Sequence, residues 1–146
     1  MSDKKLHLRI VTPDKTVVDA PVDAVGAIGT EGAFAALPGH LPFLTDLHPG
    51  LLWYRIDGVT RDLAVSGGFI EIKPDHASVL ADSAEYLEDI DVERAERALK
   101  RAEERLSRAK KEAQSAEEGS LRDISEASAS LNRAATRLKL AAKRIR

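Results

Sequence analysis

The 146 residues are 43% hydrophobic and 32% charged, with a formal net charge of −2, which suits one domain, or one domain with an appendage, and excludes a disordered or membrane-embedded chain. No run approaches the ~18 apolar residues of a membrane helix. There is no cysteine for disulfide or thiolate chemistry, and the four histidines show no metal-ligand spacing.

The net charge hides an asymmetry. Met1–Asp89 has 7 Lys/Arg against 14 Asp/Glu, a net of −7, while Ile90–Arg146 has 15 against 10, a net of +5. Ala127–Arg146 holds six basic residues and no acid. Halves of opposite sign can attract each other or serve different partners. Prolines, aromatics and all glycines but Gly119 also fall in the first half. Two domains are therefore expected, 1–89 and 90–146.

The first half reads as short strands. Met1-Ser2-Asp3-Lys4-Lys5 lacks the apolar core of a signal peptide, so the chain is expected to stay in the cytoplasm. Leu6, Leu8 and Ile10 alternate with His7 and Arg9, as Ile70 and Ile72 do with Glu71 and Lys73. The segment Gly29–His40 reads as a loop, because Gly29, Gly32, Pro38 and Gly39 suit tight turns. Asp57-Gly58, between Leu51–Ile56 and Val59–Val65, signals a hairpin whose turn needs positive φ. Ser66-Gly67-Gly68 reads as a strand-end bend permitting close backbone approach. Pro74-Asp75 turns the chain before Ala77–Ala81. Many short strands with turns between them point to an antiparallel β-sandwich or barrel.

The period changes at Asp91. Val92, Ala95, Leu99, Ala102, Leu106, Ala109 and Ala113 form a heptad seam. Asp91 suits an N-cap, with Ile90 and Ala95 placed as a hydrophobic staple. Gly119 can end this helix in a left-handed conformation, and Ser120 with Asp123 can cap the next. Ile124, Ala127, Leu131, Ala134, Leu138, Ala141 and Ile145 repeat the spacing, although Leu121, Ser128, Ala135 and Ala142 permit a shifted seam. A short link makes the two helices an antiparallel hairpin. The expected fold class is thus α+β, an N-terminal antiparallel β-sandwich followed by a C-terminal two-helix hairpin. An alanine-rich seam buries little apolar area, so the hairpin needs a docking surface or a ligand and can exchange one for another.

Three ordered segments carry a family resemblance: Gly29-Thr30-Glu31-Gly32 with Leu37-Pro38-Gly39-His40-Leu41-Pro42, then Ala64-Val65-Ser66-Gly67-Gly68-Phe69-Ile70-Glu71, then Ile90-Asp91-Val92-Glu93-Arg94-Ala95. In that order and spacing the chain resembles the epsilon subunit of the rotary ATP synthase over essentially its whole length. The resemblance implies a ten-stranded sandwich bound to the gamma subunit and resting on the c-ring. It also implies a hairpin that lies against the sandwich or extends into the alpha/beta catalytic head and blocks ATP hydrolysis. It places the chain peripherally on the cytoplasmic face of the bacterial inner membrane, touching the membrane only through the complex.

Residue by residue, the resemblance implies a c-ring contact at Glu31, Gly32 and His40. Ala33 stands where the family has an acid and Ala35 where it has a glycine, leaving Glu31 the nearest acid. It also implies an ATP site, with Glu85, Ile90, Asp91 and Arg94 on the base and ribose side and Arg101, Arg133 and Arg137 on the phosphate side. The plainer alternatives are turn chemistry at the loop, a cap at Asp91 and a solvated arginine face. One physical argument favours the phosphate side. Arg133 and Arg137 are a like-charge i,i+4 pair costing ~0.2–0.5 kcal/mol, and no acid from Ala127 onward relieves it. If the seams are as read, Arg94, Arg101, Arg105 and Arg108 flank one side of the first helix. Arg133, Arg137 and Arg144 flank one side of the second, and antiparallel packing brings the two flanks together.

Catalysis has no foundation in the sequence: there is neither a phosphate loop nor a Ser/His/Asp or Cys/His set. The chain is expected to be no enzyme and to require no cofactor, with ATP a regulatory ligand only. A free-standing adaptor presenting a coiled-coil arm is the alternative function. Nucleic-acid binding is not expected, since the basic tail has no aromatics for stacking and the acidic half repels phosphate.

Overall fold

A computed structural model describes residues 4–114 and 119–143. Ten strands form two five-stranded sheets: β1 (Leu6–Val11), β2 (Thr16–Val22), β3 (Ala24–Gly29), β4 (Gly32–Ala36), β5 (Phe43–Asp46), β6 (Gly50–Ile56), β7 (Val59–Ser66), β8 (Phe69–Ile72), β9 (His76–Leu80) and β10 (Ser83–Tyr86). One sheet has the order β2-β1-β9-β8-β5 and the other β10-β7-β6-β3-β4. Alternation decides which residues turn inward. Leu6, Leu8 and Ile10 of β1 are buried, as are Ile70 and Ile72 of β8 and Val79 of β9. They meet Val25, Leu52, Tyr54, Leu63 and Val65 of the other sheet in one core. The α+β sandwich-and-hairpin class expected from the sequence is the class observed.

Turn chemistry is where the sequence placed it. Asp57 (φ 49°) and Gly58 (φ 81°) form the two-residue turn between Ile56 and its partner Val59. Gly68 (φ 98°) is the close approach: a Cβ there would stand 1.9 Å from the Leu80 carbonyl oxygen, so no other residue fits.

Two strand-level expectations need correction. The sandwich is not wholly antiparallel, because β1 pairs with β9 in parallel, from His7↔His76 to Val11↔Leu80. Gly29–His40 is not one loop either. Its centre is β4, paired with β3 from Val25↔Ala36 to Gly29↔Gly32. Gly-Ala-Phe-Ala-Ala has no β-branched residue, so pairing with β3 rather than intrinsic propensity makes it a strand.

The chain divides into two compact units, Met1–Asp89 and Ile90–Arg146. A 3₁₀ turn, Leu87–Asp89, closes the first. The second consists of α1 (Val92–Ala113) and α2 (Gly119–Lys143). Asp91 caps α1: its Oδ1 accepts the Arg94 N–H at 3.0 Å. Ile90 and Ala95, the expected staple, are both buried.

The seams follow the first of the two registers. Ala95, Ala102 and Ala109 are buried on α1, and Ala127, Ala134 and Ala141 on α2. Val92, Leu99, Leu106, Ile124, Leu131 and Leu138 beside them are half-buried. The shifted seam is not used, since Leu121, Ala135 and Ala142 are exposed. Gly119 does not terminate the first helix. That helix ends at Ala113, with Gln114 right-handed (φ −72°), and the backbone of Gly119 and Ser120 already belongs to α2. Arg144 and Ile145 lie outside the described residues.

Candidate anion site on the helical hairpin

The alanine seam fixes which side chains border it. On α1, Arg94, Arg101 and Arg108 repeat every seven residues, with Arg105 on the same flank, and all four are exposed. On α2, Arg133 is exposed and Arg137 half-buried on the flank beside Ala134 and Ala141. An ion pair shows that these flanks adjoin: Arg105 Nη2 of α1 lies 3.6 Å from Glu126 Oε2 of α2. Arg122, one turn before Glu126, places its Nε 3.3 Å from the other carboxylate oxygen.

Sequence reasoning missed Glu126. It grouped Arg105 with the phosphate-facing arginines and counted acids only from Ala127 onward. Heptad arithmetic would have found Glu126, because it is one repeat before Arg133 on the same flank. Arg105 already has a carboxylate, so the unneutralised positive charge lies further along the flank. Among the described residues, no carboxylate is within ion-pair distance of Arg94, Arg101 or Arg133, and Arg133 Nη2 donates to Ser130 Oγ at 3.0 Å. Arg97, by contrast, faces away and sits 3.9 Å from Glu93.

The base-side residues are arranged differently. Ile90 and Asp91 stand at the start of the hairpin, Ile90 buried and Asp91 exposed but engaged as the α1 cap. Glu85 belongs to the sandwich unit, half-buried on the edge strand β10, where it pairs with Ala64 of β7. The hairpin thus brings Arg94, Arg101, Arg133 and Arg137 onto adjoining flanks. Within one unit it supplies a line of guanidinium groups suited to a polyanion.

The residues expected to face a ring flank the edge strand β4. Glu31 and Gly32 share the tight turn between β3 and β4, where the Thr30 and Thr45 hydroxyls lie 3.0 Å apart. His40 lies beyond the far end of β4, in a loop held by the Gly39 N–H donating to the Pro74 carbonyl at 2.7 Å. There its ring meets Phe43 edge-on at 6.3 Å.

Comparison with known proteins agrees across both units. The ATP synthase Delta/Epsilon chain beta-sandwich domain family matches residues 5–87, and the Delta/Epsilon chain long alpha-helix domain family matches residues 88–142. The ATP synthase epsilon chain of Geotalea uraniireducens is 45% identical over 143 residues, 98% of either chain. That of Syntrophobacter fumaroxidans is 44% identical over 140 residues, 96% of this chain and 98% of that one. Among solved structures, a chain of the Euglena gracilis mitochondrial ATP synthase (OSCP/F1/c-ring) aligns with 93% of this chain and 81% of its own. Its TM-score is 0.70 and its identity 23%, a likeness of fold. With both units matched in order and near-complete relatives of one name, the chain belongs to the ATP synthase epsilon-chain family.

Proposed function

We propose that this chain is a non-catalytic central-stalk subunit of the proton-translocating ATP synthase, whose sandwich seats on the rotor and whose hairpin restrains ATP hydrolysis. The gamma subunit is the proposed partner of the sandwich, supported by an outward apolar row on one sheet. Phe69 and Leu80 pair directly across β8 and β9 with Leu44 nearby on β5, and all three are exposed. Glu31, Gly32 and His40, on either side of the edge strand β4, are the proposed c-ring contact. The chain would then be peripheral, held at the membrane through the complex. No described helix is long and apolar enough to cross a membrane.

The observation that carries the regulatory part is the pair of adjoining arginine flanks on a narrow alanine seam. An anion between the flanks favours the closed hairpin, and its loss frees α2, whose basic side chains then suit an acidic surface of the alpha/beta head. ATP is the proposed ligand. Its phosphates would lie along Arg101, Arg133 and Arg137, and its base and ribose toward Ile90, Asp91 and Arg94 of the same unit. Losing one charge-assisted contact costs ~1.5–3 kcal/mol, or about ten- to 150-fold in affinity. Calorimetry should therefore show ATP binding weakened by that factor in Arg137→Ala. Arg97→Ala, which faces away, should change little. Equal affinities in the two variants, or no heat from the unsubstituted protein at millimolar ATP, would return the arginines to an ordinary solvated face.

A further inference from the structure

The seam that joins α1 and α2 does not by itself fix how far one helix stands along the other. Its buried alanines recur every seven residues on both helices, at Ala95, Ala102 and Ala109 and at Ala127, Ala134 and Ala141. Sliding α2 by one heptad, about 10 Å, would set alanine against alanine again. A uniform apolar repeat needs a polar or charged contact to choose its register.

Arg105 and Glu126 supply that choice, and the residues one heptad away show why. Slid one way, Arg105 would meet the position now held by Arg133, and Glu126 would meet Glu112, so both contacts turn repulsive. Slid the other way, Arg105 would meet Gly119 and Glu126 would meet Ala98, and the attraction is lost. For this pair only the observed register joins opposite charges, at 3.6 Å. It also decides which arginines are level. Arg94 lies eleven residues from Arg105 and Arg137 eleven from Glu126, about 16 Å along each antiparallel axis, so the two arrive side by side.

We infer that Arg105–Glu126 is the register pin of the closed hairpin, and that Glu126 is a positioning residue for the anion site without touching the anion. The role in ligand binding rests on the ATP reading above; the role in register does not. Breaking the pin leaves the seam intact and spreads the closed hairpin over neighbouring registers, in which Arg94 and Arg137 are a heptad out of step.

The chain has no cysteine, so spin labels at Ser107→Cys and Ser125→Cys would be its sole attachment points. Both positions are exposed and off the arginine flank. In the labelled whole chain a single inter-label distance is expected. Glu126→Gln should add a second population displaced by about 10 Å along the axis. It should also weaken ATP binding by about two- to fivefold, the range for an exposed ion pair. The exchange Arg105→Glu with Glu126→Arg should restore the single distance, which a merely destabilising effect of substitution would not. One unchanged distance in Glu126→Gln, or two in the exchanged pair, overturns the inference. If the distances respond as described but the unsubstituted chain binds no ATP, the register pin stands and the ATP reading fails.

Discussion

Tyr86 is the last residue of the last strand, and three groups close on it. Its hydroxyl lies 2.8 Å from that of Tyr54, the Arg61 guanidinium sits 4.6 Å over its ring, and Arg61 in turn bonds Glu88 at 2.6 Å. Burial, then the hydrogen bond to Tyr54, pushes the Tyr86 phenol up to about 12. An acid whose pKa is raised on folding keeps its proton longer in the folded chain than in the unfolded one. The contribution of Tyr86 to stability is thus fully present below its unfolded value of 10.0 and is lost as pH rises from there through about 12. Thermal melts across that interval should show a falling midpoint in the unsubstituted protein and a shallower fall in Tyr86→Phe. Parallel falls would assign the alkaline loss to other groups. None of this cluster was legible beforehand, because Tyr54, Arg61 and Tyr86 meet only when β6, β7 and β10 are paired.

Within an element, the sequence speaks most clearly where a period is long. The α1 seam could be read residue by residue, and burial follows it: Ala95, Ala102 and Ala109 are shielded and each larger neighbour is half-shielded. The close approach of the helices depends on those alanines. Enlarging one, as in Ala102→Leu, overpacks the seam and should cost the closed hairpin about 1–3 kcal/mol. Hydrogen exchange would report it as faster exchange of α1 and α2 amides with sandwich amides unchanged, and a slower hairpin would refute the narrow-seam account. Short elements were less legible. The alternation of β1 stands out because Leu and Ile mark it, whereas β4 passed for a loop because alanine and glycine carry no strand signal. Leu140 is buried although it lies off the seam, and a periodic reading cannot anticipate that. The site was legible as residue types on helix flanks. The pairing of Arg105 with Glu126 needed the register, which one sequence does not display.

At the scale of the whole molecule, charge divides with the fold: an acidic sandwich and a basic hairpin whose final stretch has no acid. Contacts between exposed charges fade beyond about 8 Å at physiological salt, so any brake built on that tail is sensitive to ionic strength. Deleting Leu121–Arg146 should raise the ATPase rate of the assembled complex, most at low salt. An unchanged rate would show that this hairpin is not the brake. The parallel pairing of β1 with β9 bears on something else, the making of the protein. A strand begun at Leu6 waits for one begun at His76, so an emerging chain holds β1 with one open edge until nearly all of the sandwich has been synthesised. Long-range pairing of this kind is slow, while the contacts of the hairpin are local and emerge from the ribosome after those of the sandwich. The half of the molecule that is slowest to fold is therefore given its start first, and the half proposed to move follows it in synthesis.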